Sequence, residues 1–281
     1  MKRRIIVPVN ETTRSERAIP VAAAFARRLN ASLTLVSVVT WPYAEHPGHS
    51  GYHEGLVKAY PDIEAESVVV RTLTDTAGAI ESLCRPGDVI CLGTDHTSST
   101  AEVLLRSVFL DLVRTFHGPV IVVGPKAVMP DSATQVLICL DGNTHAEQGL
   151  ALIPQIIEPA GFKPFLVQVT DSSGTADVHE TNYLHELAHS KPSMHIMGWD
   201  VLHGHPKQAI ASYANDPSIA AIAFTTDALD PVARLISPSL ANELVAVANR
   251  PLILLGSSTD VSITRHLIHP GGSHPFQPGG S

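Results

Sequence analysis

One short stretch of the chain has the residue types and spacing of a catalytic metal site. Residues 185–189 read HELAH, which on a helix places two imidazoles on one face, where they can share a zinc ion. Glu186 would then be the general base that activates a zinc-bound water. His195 lies at the spacing of the third ligand in a longer zinc-protease pattern, although Pro192 replaces the glycine of that pattern. A solvated surface helix is one interpretation; the alternative is a zinc-dependent hydrolase whose metal ligands are His185, His189 and His195.

The elements around this stretch belong to an internal duplication. Residues 90–124 return at 222–256 without a gap, at a shift of 132 positions. The coinciding pairs include Ile90/Ile222, Thr94/Thr226, Ser107/Ser239, Pro119/Pro251, Ile121/Ile253 and Gly124/Gly256. Because this period is far too long for a solenoid unit, the repeated unit is a whole domain.

The duplication divides the chain into two predicted domains and a tail. The first domain is placed at residues 1–126 and the second at 134–258, with a proline-containing linker between them. Residues 259–281 have too few apolar groups to offset the loss of chain entropy on folding. We therefore predict that this tail is disordered.

Each half alternates strand-length apolar runs with segments of helical periodicity, and the apolar residues from Ala18 to Leu29 predict one such helix. Continuous β-branched runs are typical of parallel strands that are covered on both faces. We predict an α/β fold with two doubly wound five-stranded parallel sheets, one in each half, with strand order 3-2-1-4-5 in both. The stretch 41–55, rich in proline, glycine and histidine, is predicted as a loop that carries a loose cluster of His46, His49 and His53. After the first strand of the second half we predict a helix that ends near Glu158.

Composition narrows the function classes. The formal net charge of −8 argues against a nucleic-acid or anionic-membrane partner. The sequence contains no run of about 18 apolar residues, which is the length that a transmembrane helix needs. The three cysteines, Cys84, Cys91 and Cys139, are an odd number in apolar or helical surroundings, which favours free thiols in a reducing compartment. We expect a cytoplasmic protein.

The predicted topology places a ligand crevice beyond the carboxyl ends of strands one and four, where the strand order reverses. The two halves resemble the universal stress protein family, in its tandem two-domain form, over about residues 3–256. That family shows an Asp at the end of strand one and a Gly-x2-Gly-x9-Gly-Ser/Thr signature for ATP after strand four. Gly93 and Ser107 match the signature, but His96 and Arg106 stand at the second and third glycines, and Asn10 stands at the Asp.

The second half departs from the same signature at other positions. It keeps Asp141 and Gly142 at the end of its first strand, and Ser239 ends the signature. All three glycine positions carry other residues, namely Thr225, Ala228 and Pro238. Side chains there would occupy the space that phosphates need, and a proline also lacks an amide donor.

The resemblance implies a non-catalytic stress-response protein with degenerate nucleotide sites and no required cofactor. The candidate nucleotide-binding residues are Asn10, Val39, Gly93, Arg106, Ser107, Asp141, Gly142 and Ser239. The alternative is a functional ATP-binding module in the first half, where Arg106 could offer positive charge to an anion such as ATP or another adenine nucleotide. The resemblance also implies that the two uncharged fifth strands pair with each other, and that chains could associate further as a homodimer.

Overall fold

The computed structural model describes residues 2–40, 49–73, 75–94, 108–109, 111–113, 115–142, 146–170, 177–226 and 238–256. Ten strands in these ranges form one sheet, in the order β3-β2-β1-β4-β5-β10-β9-β6-β7-β8. The strands are β1 Arg4–Pro8, β2 Ser32–Thr40, β3 Ala65–Thr72, β4 Val89–Gly93, β5 Val120–Val123, β6 Gln135–Leu140, β7 Lys163–Thr170, β8 Gly198–His203, β9 Ile219–Thr226 and β10 Leu252–Gly256.

The two predicted five-stranded sheets are parts of a single sheet of ten strands, because the fifth strands of the two halves pair with each other. Each half contributes five neighbouring strands that pair in parallel, and β5 joins β10 in antiparallel pairing at the centre. Both of these short strands are uncharged and buried throughout the paired region. An exposed apolar edge strand leaves unpaired backbone groups in water, so joining the two edges removes both exposed edges at once.

Helices cover both faces of the sheet. The α-helices are Thr13–Glu16, Ala18–Leu29, His49–Lys58, Thr76–Glu81, Asp177–Ser190, Pro206–Tyr213 and Pro238–Val247, and residues 111–113 are also helical. Side chains alternate along β1, so that Ile5 and Val7 pack on one face and Ile6 on the other. None of the helices in the described ranges is long and apolar enough to cross a bilayer.

Two helical predictions need correction. Within the predicted loop 41–55, residues from His49 onward form the helix His49–Lys58, and residues 41–48 lie outside the described part. The predicted helix that ends near Glu158 is instead a 3-10 turn, Ala146–Ala151, followed by a π-helical turn, Ile153–Ile157. Pro154 lies inside the second turn and has no N–H for a regular helical ladder, which accounts for part of the irregularity. The predicted tail 259–281 also lies outside the described residues.

The two halves also contact each other away from the strand seam. The ring of Phe25 meets that of Phe162 edge-on, with ring centroids 5.6 Å apart. The Arg28 guanidinium lies 4.4 Å from the centroid of the same Phe162 ring and donates to the carbonyl of Ala133 at 3.2 Å. A cation over an aromatic ring is stabilising, so this contact reinforces the junction between the helix Ala18–Leu29 and the second half.

Candidate functional site

At the first crevice, Asn10 takes part in the turn that starts the following helix. The Thr12 hydroxyl donates to the Asn10 side-chain oxygen at 2.7 Å, and the Asn10 backbone N–H donates to the Ser15 hydroxyl at 3.1 Å. Thr12 is the N-cap and accepts a hydrogen bond from the Ser15 backbone N–H. Asn10 itself is exposed. Its side-chain oxygen therefore supports a helix cap, and it carries no charge with which to hold a ligand.

Gly93, the first glycine of the predicted signature, is required by packing. A Cβ added at Gly93 would clash with the backbone carbonyl oxygen of Arg14, in the short helix Thr13–Glu16. The helix start can approach β4 this closely only because position 93 has no side chain. The presence of this glycine is thus explained without any phosphate beside it.

In the second half, a different pair of residues allows the helical segment to pack closely against the strand. Thr225 stands at the position of Gly93 and is 8% exposed, so its side chain is buried against the neighbouring segment. The facing residue is Gly149, where an added Cβ would come 3.6 Å from the Thr225 backbone nitrogen and 3.8 Å from its Cγ2. The small residue lies on the strand in the first half and on the helical segment in the second. Sequence reasoning missed this exchange, although Gly149 aligns with Ala18 at the shift of 131.

Asp141 and Gly142 end β6 beside β7. Asp141 is half-buried, and Gly142 has a φ of +80°, in the left-handed region that favours glycine. A side chain at Gly142 would approach the Gln168 amide nitrogen to 3.3 Å. Gly142 is therefore explained by the turn itself and by its contact with β7.

A tyrosine–glutamate pair recurs beside each crevice. The Tyr52 hydroxyl donates to Glu16 at 2.7 Å, and the Tyr183 hydroxyl donates to Glu147 at 3.2 Å. Both members of the pair are displaced by 131 positions between the halves. Burial is the main cause that raises the pKa of each phenol above its usual value of 10.0, and the neighbouring glutamate raises it further. At Tyr183 the Asp141 carboxylate also raises the pKa. Both phenols therefore stay protonated hydrogen-bond donors. Sequence reasoning missed these pairs, for which the shared shift was the available signal.

The first half contains a buried serine–histidine contact that cannot act as a catalytic pair. Ser37 and His53 are 5% and 2% exposed, and the Ser37 Oγ lies 2.8 Å from His53 Nε2. The Ser37 hydroxyl donates its proton to the Val9 carbonyl at 3.0 Å, so the imidazole must donate to the serine. Activation of a serine nucleophile needs the opposite direction. His53, predicted in a loose loop cluster, is instead a core residue.

The predicted three-histidine zinc site is not formed. Pro192 opens a 3-10 turn that His195 ends in the left-handed conformation, and the His195 ring contacts the Glu158 carboxylate at 3.0 Å. The rings of His185 and His189 instead stack on each other, with centroids 4.0 Å apart. Across the ranges that the structure describes, no group of three or more histidine, cysteine, aspartate or glutamate side chains could hold a metal ion.

The cysteines offer no nucleophile. All three are free thiols; Cys91 and Cys139 are buried and Cys84 is half-buried. Burial raises the pKa of Cys139 from 9.0 to about 12, and burial with the nearby Asp88 carboxylate raises that of Cys84 to about 12. Burial raises the pKa of Cys91 as well. Thiols that stay protonated near neutral pH are unreactive.

The remaining predicted site residues are only partly described. Val39 is half-buried near the end of β2, close to the strand ends that line the first crevice. Arg106 and Ser107 lie outside the described residues. Ser239 lies in the helix Pro238–Val247, and its side chain is outside the described part. The structure thus brings Asn10 and Gly93 to one crevice and Asp141 and Gly142 to the other.

No protein-family model matches the chain, and no curated protein sequence matches it. Solved structures do match its fold. A universal stress protein from Archaeoglobus fulgidus DSM 4304 aligns with a TM-score of 0.67 and 15% identity over 90% of this chain and 98% of its own. A putative universal stress protein from Pseudomonas aeruginosa UCBPP-PA14 aligns with a TM-score of 0.61 and 14% identity over 95% of this chain and 96% of its own.

A third structure belongs to a different kind of protein. The cytoplasmic domain of a prokaryotic cation chloride cotransporter aligns with a TM-score of 0.57 and 13% identity over 94% of this chain and 100% of its own. At these identities the likeness concerns the fold alone. The chain therefore has the α/β fold found in universal stress proteins.

Proposed function

We propose that this chain is a stress-response protein of the universal stress type, which acts by binding and not by catalysis, and whose two nucleotide sites are degenerate. The fold likeness supports the first part, because it covers 90% and 95% of this chain in the two universal stress proteins. We place the protein in the cytoplasm, a location that its three free cysteines support.

The main observation in favour of degenerate nucleotide sites is the packing of Gly93 and Thr225, which occupy equivalent positions in the two halves. A triphosphate is held most closely by backbone amides that no side chain shields. Within the described residues, the contact that requires a glycine at position 93 is the one with the Arg14 carbonyl, and at Thr225 a buried side chain occupies the corresponding position. The residue at this position is therefore explained by packing in both halves.

The chemistry of the described side chains supports a non-catalytic role. The Ser37–His53 contact has its hydrogen bonds in the wrong direction for nucleophilic attack. The buried thiols of Cys91 and Cys139 are held protonated. Tyr52 and Tyr183 donate to glutamate carboxylates, and burial together with the neighbouring carboxylate raises the pKa of each phenol, which keeps it protonated. Binding requires none of these groups to react.

Calorimetry tests the proposal directly. The protein is unfolded, dialysed free of small molecules, refolded and titrated with ATP, ADP and AMP. We expect no saturable heat up to millimolar nucleotide. The matched control is the triple variant Asn10→Asp, His96→Gly, Arg106→Gly, which restores the family pattern in the first half. Micromolar binding by the unaltered protein would overturn the proposal; binding by the triple variant alone would support it.

The second candidate function is ATP binding by the first half alone. It is favoured by the fact that this half retains Gly93 and Ser107 and adds the cation Arg106 between them in the signature. If this candidate is correct, Ser107→Arg abolishes nucleotide binding and the equivalent change in the second half, Ser239→Arg, does not. Equal binding by both variants would place the nucleotide elsewhere.

A further inference from the structure

The helix Asp177–Ser190 presents two imidazoles on one exposed face. His185 and His189 lie one helical turn apart, and both are exposed. Their rings stack with centroids 4.0 Å apart and an interplanar angle of 30°. The two side chains are therefore already side by side, in contact with solvent, without His195.

The hydrogen bond of His189 determines its tautomer. His189 Nδ1 lies 2.8 Å from the backbone carbonyl oxygen of His185. A carbonyl oxygen only accepts, so Nδ1 carries the proton and the neutral ring keeps its lone pair on Nε2. Histidines that bind metals commonly donate their other ring N–H to a carbonyl or a carboxylate in this way. His189 is thus oriented as a metal ligand before any ion binds.

A tryptophan on the edge strand β8 supports the pair. The Trp199 ring centroid lies 5.2 Å from that of His185 and 5.9 Å from that of His189, at interplanar angles of 83° and 71°. Trp199 is half-buried. Its ring meets both imidazoles nearly at right angles, so it limits their movement on one side and leaves the solvent side open.

We propose that His185 and His189 form a two-histidine surface site for a divalent late transition-metal ion, with copper(II) bound more tightly than nickel(II) or zinc(II). Two nitrogens at about 2.0–2.1 Å from one ion lie about 3 Å apart at usual coordination angles. The ring centroids are 4.0 Å apart, and rotation of these exposed side chains about their χ angles brings one nitrogen of each ring to this separation. Water completes the coordination, and the preference for copper follows the general order of divalent metal affinities.

This site differs from the zinc hydrolase pattern in its ligands and in its role. His195 is not part of the site, because among the described residues no group of three histidine, cysteine, aspartate or glutamate side chains is close enough to share an ion. Two protein ligands leave the ion exchangeable and provide no pocket for a substrate. The site is independent of the nucleotide crevices, so the outcome of nucleotide titrations does not bear on it.

Trp199 provides the readout, because copper(II) quenches the fluorescence of a nearby tryptophan. The chain has two tryptophans, so the background variant is Trp41→Phe. The full chain is titrated with copper(II) alone near neutral pH. We expect saturable quenching with a midpoint in the micromolar range, which a chelator reverses.

Substitutions identify the ligands. His185→Gln and His189→Gln should each raise the midpoint by about tenfold or more, since loss of even a supporting partner of a metal ligand costs that much. His195→Gln is the matched control and should leave the midpoint unchanged within about twofold. Circular dichroism of each variant verifies the fold. Quenching that does not saturate, that survives both glutamine variants, or that falls equally in His195→Gln would overturn the proposal.

Discussion

Ile121 of β5 lies directly opposite Ile253 of β10 in the sheet. The two residues are 132 positions apart and occupy the same place in the internal repeat. Val122 opposite Leu252 and Val120 opposite Leu254 complete a symmetric seam around them. When equivalent residues of two repeat copies pair in this way, the copies are related by a pseudo-two-fold axis through the central pair. The single sheet of ten strands follows from this one contact.

A charge placed on the seam should unfold the protein at lower denaturant concentrations. Ile253 is fully buried, so Ile253→Asp leaves an unpaired carboxylate in the core and should reduce the free energy of unfolding by about 3–5 kcal/mol. Ile253→Val is the matched control, with an expected loss of about 0.5–1.5 kcal/mol. Urea denaturation followed by circular dichroism measures both. Equal losses in the two variants would contradict a buried seam.

Substitution by alanine should destabilise the protein more at Gly93 than at Gly149. Gly93→Ala forces a methyl group against the Arg14 carbonyl and should cost about 1–3 kcal/mol, as overpacking usually does. Gly149→Ala meets its neighbours at 3.6 Å or more, which is ordinary contact, and should change stability by less than about 1 kcal/mol. Thermal unfolding without any nucleotide compares the variants. A stable Gly93→Ala protein would show that the glycine has another purpose.

The Arg4–Asp88 ion pair should be much more important for stability than surface pairs. Its side chains are 14% and 4% exposed, and the Asp88 carboxylate also accepts from the Arg85 backbone N–H at 2.8 Å. Asp88→Ala therefore leaves a largely buried guanidinium unpaired and should cost about 3–5 kcal/mol.

The matched control for that variant is the exposed pair Arg27–Asp62, at 2.5 Å with side chains 47% and 53% exposed. Asp62→Ala should leave the urea midpoint nearly unchanged, since solvent screens such pairs. If both variants lost equal stability, burial would not be what makes the Arg4–Asp88 pair important.

Stability should fall in alkaline solution. The pKa of Cys139 rises from 9.0 to about 12 on burial, and that of Tyr213 rises from 10.0 to about 12 through burial and Asp200. In the folded chain these groups keep protons that the unfolded chain loses above pH 9 to 10. Their stabilising effect is thus complete below about pH 9 and is lost as the pH rises towards about 12. Urea midpoints across this range measure the decline.

Cys139→Ala separates the thiol from the other alkaline groups. Its stability should decline less steeply above about pH 9 than that of the unaltered protein, because no buried thiol remains to ionise at this position. The replacement also creates little space, so the comparison at neutral pH reveals its packing cost. An identical alkaline decline in both proteins would show that this thiol does not contribute to it.

The helical segments show where sequence reasoning succeeded and where it failed. The periodicity of Ala18–Leu29 predicted a regular helix, and the structure has one. The equivalent segment of the second half shows similar apolar spacing but forms a 3-10 turn and a π-helical turn. Spacing reports which side chains are buried, whereas the local hydrogen-bond pattern also depends on Pro154 and on the packing of Gly149 against Thr225.

The duplication, the alternation of strands and helices, and the unpaired, buried character of Cys91 and Cys139 could be read from the sequence by itself, because each depends on burial patterns along a short stretch. Only the tertiary structure decided that the fifth strands pair in antiparallel fashion with Ile121 opposite Ile253, that Gly93 packs against the Arg14 carbonyl, and that His195 contacts Glu158. These are contacts between residues far apart in the chain, and the local pattern of apolar and polar residues does not specify which distant partners meet.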